Sequence, residues 1–87
     1  MEHDLILARS VTYAQRMQRA LERAGIRCSI RRAPRDLTNL GCAYVVEVST
    51  WELSSALTVI HREGLGPAQV FLRQRGVWQE VRGRDLL

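Results

Sequence analysis

The sequence predicts an α+β domain in which two strand–helix–strand units share one antiparallel sheet. Three observations predict it. Apolar residues alternate with polar ones in "IRCSIRRA" (26–33) and "CAYVVEVS" (42–49), whereas they recur at three- and four-residue spacing in 11–24 and 50–63. Glycines at 25 and 64 close both of the helical stretches. The length, 87 residues, lets a chain bury roughly 60–65% of its unfolded surface, so one sheet covered by two helices is about the limit.

Taken in order, "DLILA" (4–8) is a short apolar run and reads as a strand. Ser10 is placed to cap the helix "VTYAQRMQRALERAG", whose buried stripe is Ala14, Met17, Leu21 and Ala24, with Tyr13 and Ala20 beside it. Gly25 stands in the C′ position. In the next strand Ile26, Cys28 and Ile30 face inward, and Pro34 ends it because proline cannot donate to a ladder. In the third strand Tyr44, Val46 and Val48 share one face, and Ala43, Val45 and Glu47 share the other.

Ser49 and Glu52 have the spacing of a capping box, opening a helix with Leu53, Ala56, Leu57 and Ile60 on its inner face. "QVFLRQRGVWQEV" is a last strand that either continues or folds back at Arg75-Gly76 to add a C-terminal strand. Residues 79–87 are either part of that addition or a flexible tail of a single domain, 1–87. The order βαββαβ is the split pattern of ferredoxin-like domains, with strand order 4-1-3-2 and both helices on one face.

The composition, 46% apolar and 25% charged, is that of an ordinary globular protein. The apolar runs are too short for a membrane span, and "MEHDLILARS" has no secretory h-region, so the expected location is cytoplasmic. Two cysteines fourteen apart, with His3 and His61 lacking ligand spacing, point to neither a metal nor any other cofactor. The net charge of +4 rests on 13 arginines without a lysine. Arginine forks suit phosphate, but only Arg31, Arg32 and Arg35 cluster, so nucleic acid is not the expected partner.

The predicted topology brings the end of the first strand and the start of the third to one edge of the sheet. Cys42 is then expected near Arg9, Ser10, Val11 and Thr12, where the open amides and dipole of the first helix favour thiolate over thiol. Arg35 acts in the same sense if it folds back. Cys28 points into the core and lies opposite about position 47, about 16 Å along the sheet from Cys42, too far for a disulfide. Two readings of Cys42 stay open: the first buried residue of a strand, or a reactive thiol. Trp51 and Trp78 are either partner anchors or core-edge residues.

The chain resembles the selenium/sulfur carrier-like family of domains. The likeness rests on Ser10 after a short strand, Ala14, "AGI" (24–26), and the loop "PRDLTNLGC" with Pro34, Arg35, Asp36, Leu37, Thr38 and Cys42 in the family's order. Ala43 stands where the family has glycine, Gly41 precedes the cysteine, the loop is about one residue longer, and Gln18 replaces an acidic residue. The resemblance implies that Cys42 carries sulfur or selenium as a persulfide or perselenide, with Arg35 and Ser10 at the site. It also implies delivery to a partner such as a sulfur or selenium transfer enzyme, and no catalysis by the chain itself. The alternative is a non-catalytic ferredoxin-like interaction module. It would pair with a protein or with a second copy through an edge strand or through a free sheet face lined by residues such as Val45, leaving Cys42 structural.

Overall fold

Six local signals become eight elements: β1 (His3–Ala8), α1 (Val11–Arg23), β2 (Cys28–Arg32), β3 (Tyr44–Ser49), a 3-10 turn (Thr50–Glu52), α2 (Leu53–Arg62), β4 (Gln69–Gln74) and β5 (Val77–Arg82). The structure, a computed structural model, describes residues 3–34, 37, 43–66, 69–74 and 76–82. The sheet order is β2-β3-β1-β4-β5, and every neighbouring pair is antiparallel. The expected 4-1-3-2 core is therefore present, with a fifth strand added outside β4. That strand folds back across residues 75 and 76, pairing Gln74 with Val77 and taking in 79–82 of the segment that was open to a tail reading.

Ser10 caps α1, its hydroxyl accepting from the Tyr13 amide at 3.2 Å. Ala14, Met17, Ala20 and Leu21 are buried under the helix. Ala24, expected on that stripe, is exposed because the helix has ended and Ala24 is its C-cap. Both helices stop in the same way. Ile26 donates to the Leu21 carbonyl and Gly25 to Glu22; Leu65 donates to Ile60 and Gly64 to His61. These are Schellman motifs, and the apolar residue after each glycine, Ile26 or Leu65, is buried. The strand expected to begin at Ile26 therefore begins at Cys28.

The capping box expected at Ser49 does not form. The Ser49 side chain makes no capping hydrogen bond, and the chain enters α2 through the 3-10 turn instead.

One cluster unites α1, α2 and one face of the sheet, around Ile6, Met17, Leu21, Val46, Val48, Leu57, Ile60 and Val70. The opposite face was expected to be free and lined by Val45. Instead Val45 is fully buried with Leu5 and Phe71, and Leu7, Ala33, Leu37 and Trp78 pack around them. Two additions explain the difference: β5 brings Trp78, and the turn from Pro34, closed by the Leu37 amide on the Pro34 carbonyl at 3.1 Å, brings Leu37. No helix among the described residues is long and apolar enough to cross a membrane.

Candidate functional site

The end of β1 and the start of β3 share one edge, since Ala8 pairs with Tyr44. Arg32 pairs with Tyr44 from the other side, so Arg32, Tyr44 and Ala8 form a row across three strands. Beyond the row, the Ala33 amide donates to the Ala43 carbonyl at 3.0 Å and closes the base of the 34–42 loop. The chain turns from β1 into α1 at the same edge, so the capped helix start stands beside that loop base.

Among the described residues, arginines gather at this edge. The Arg9 guanidinium lies 4.3 Å from the Tyr13 ring centre, and its Nη2 donates to the Tyr13 hydroxyl at 3.1 Å. Arg16 stands 5.6 Å from the same ring, and Arg32 lies 6.0 Å from the Tyr44 ring. The first turn of α1 holds no acidic residue. Its first amides lie outside the intrahelical ladder, as in any helix. An anion at this edge would meet guanidinium groups and amide hydrogens.

Of the three residues singled out from the sequence, Ser10 lies at this edge as the helix cap. Cys42 and Arg35 lie outside the described residues. Residues 4–72 match the family described as "Putative Se/S carrier protein-like". The chain belongs to that family. No curated protein and no solved structure matches the chain. The matched span includes Ser10, Arg35 and Cys42 and ends inside β4, with β5 beyond it.

The carrier-like chain has a second cysteine, Cys28, which lies within the described residues. Cys28 pairs with Val48, one residue beyond the expected position near 47. The observed register puts Cys28 on the helix side, half-buried against the main core, with Sγ 3.9 Å from the Gln18 carbonyl. Burial, with Glu22 nearby, pushes its pKa from 9.0 up to about 11. Cys28 is held as a neutral thiol at physiological pH, the wrong state for a nucleophile.

Sequence reasoning missed the Arg9–Tyr13–Arg16 group, in which Arg9 stands just before the Ser10 cap while Tyr13 and Arg16 are three apart on α1. It also missed Arg32 beside Tyr44. With Cys28 set opposite 47, Arg32 would have faced Ala43. The two tryptophans divide: Trp78 packs on the second cluster, while Trp51 is 76% exposed just past Ser49, which pairs with His3 at the far end of β1 from Ala8.

Proposed function

We propose that the chain carries sulfur or selenium on Cys42 as a persulfide or perselenide and passes it to a partner enzyme in the cytoplasm, without catalysing a reaction of its own. The observation that carries this reading is the family match across residues 4–72, the span that contains Cys42. Two features support it. The helix start and the arginines beside Ala8 and Tyr44 would favour thiolate over thiol in a cysteine placed against them. The other cysteine is held protonated, so it competes poorly for the cargo.

The transfer balances without an external oxidant. The Cys42 thiolate attacks the terminal sulfur of a donor persulfide, the donor's S–S bond breaks, and the donor leaves as a thiolate while a new S–S bond forms on Cys42. Delivery repeats the exchange with an acceptor nucleophile. The test is the intact mass after incubation with a cysteine desulfurase and cysteine. Wild type and Cys28→Ser are expected to gain one sulfur, and Cys42→Ser none. Equal gain by Cys42→Ser, or no gain by wild type, would overturn the reading.

A further inference from the structure

A groove of about 200 Å³ runs between α1 and the end of α2, lined by Arg16, Arg19, Ala20, Arg23, Glu63 and Leu65. Its three arginines sit at i, i+3 and i+7 of one helix, so they follow one face over roughly 10 Å of axis. Against them stands a single carboxylate, Glu63, paired with Arg23 at 2.9 Å. Both side chains of that pair are well exposed, 66% and 42%, so solvent screens it and it re-pairs readily. Among the described residues Arg19 makes no ion pair. Ala20 and Leu65 give the groove an apolar floor.

We propose that this groove docks an acidic helical segment of the protein that exchanges the chalcogen with Cys42. The identity of that partner rests on the carrier reading; the acidic docking itself does not. A single small oxyanion meets one or two guanidinium groups but cannot span the row. Run antiparallel to α1, a helix with carboxylates at i, i+4 and i+7 matches this spacing in reverse and lays a small apolar residue on Ala20 and Leu65. A nucleic acid fits less well. Its bases would need aromatic rings to stack on, and the nearby Tyr13 ring already has Arg9 at 4.3 Å instead of an open stacking face.

The groove also leads to the right place. Arg16 is six residues beyond Ser10, roughly 9 Å along the helix axis, and Ser10 stands at the edge where Ala8 meets Tyr44. A segment docked on Arg16, Arg19 and Arg23 holds its parent protein beside the base of the 34–42 loop.

The test is fluorescence anisotropy with a labelled synthetic amphipathic helix bearing glutamates at i, i+4 and i+7, titrated with the full chain at low salt. Arg19→Glu and Arg16→Glu are each expected to weaken binding at least about tenfold. Arg27→Glu, which changes net charge equally outside the groove at an exposed position, is expected to weaken it less than about twofold. Equal losses from Arg19→Glu and Arg27→Glu would reduce the binding to bulk charge and overturn the proposal. So would tighter binding, through the same arginines, of a single-stranded RNA of equal charge. Cys42→Ser separates the two readings: it is expected to abolish sulfur loading and leave peptide binding intact. Loss of loading specificity with intact groove binding would overturn the carrier reading alone.

Discussion

Cys28 shows how a strand position decides the chemistry of a side chain. Alternation with Ile30 turns its sulfur toward α1, and burial there opposes ionisation more strongly than Glu22 does. The folded chain thus holds the proton up to about pH 11, whereas the unfolded thiol loses it near 9.0. The sign follows directly. Below pH 9 both states are protonated and the group adds no pH dependence. Between about 9 and 11 the unfolded state releases a proton that the folded state keeps, so stability falls as pH rises. Urea midpoints measured across that window are expected to decline in wild type and to decline less steeply in Cys28→Ala, the residual slope coming from other groups. Identical slopes would show that Cys28 ionises as freely folded as unfolded. The same burial predicts that iodoacetamide leaves Cys28 unmodified in the native protein at neutral pH.

The helices were legible in the sequence because their signals are local. Ser10, the spacing of Ala14, Met17 and Leu21, and the glycine after each stretch all act within a few residues of where they stand. Gly25 has φ +80° and Gly64 φ +74°, and a Cβ at either position would meet nothing within 4 Å. Alanine there is opposed only by backbone conformation, at about 1 kcal/mol per site. For a domain of this size that corresponds to a melting point lower by about 4–8 °C for Gly25→Ala or Gly64→Ala. An unchanged melting point in both variants would mean that the Schellman ends do not hold in solution. Elements that depend on longer reach were read less well. The Ser49–Glu52 spacing suggested a cap, but cap geometry depends on how the chain leaves the sheet, and here it leaves through a 3-10 turn. The β2–β3 register was one residue off, because the 34–42 loop does not reveal from its length that Ala33 and Ala43 close its base. Topology drew attention to Cys42 but left packing and reactivity both open, and the family pattern added weight to reactivity.

On the scale of the whole molecule the two faces of the sheet are unequal, the second carrying a small apolar cluster beside exposed Ser29, Arg31, Gln69 and Glu80. Two helices cover one side, while the other is sealed around Leu5, Val45 and Phe71 by residues from well-separated parts of the chain. Alternation in β3 told which way Val45 points but not what covers it. Its cover comes from β4, from β5, and from Leu37, none of them neighbours in sequence. Burial of Val45 with Leu5 and Phe71 disfavours that part of the face as a free docking platform. It can be tested with one pair of variants. Val45 is fully buried and Val77 is 67% exposed, so the same valine-to-threonine change probes the two environments. Val45→Thr places a hydroxyl among apolar side chains and is expected to cost about 1–3 kcal/mol in urea unfolding. Val77→Thr should stay within about 0.5 kcal/mol of wild type. If the two substitutions cost the same, the back of the sheet is open to water, Leu37 and Trp78 do not close it, and the free-face interaction module regains its platform.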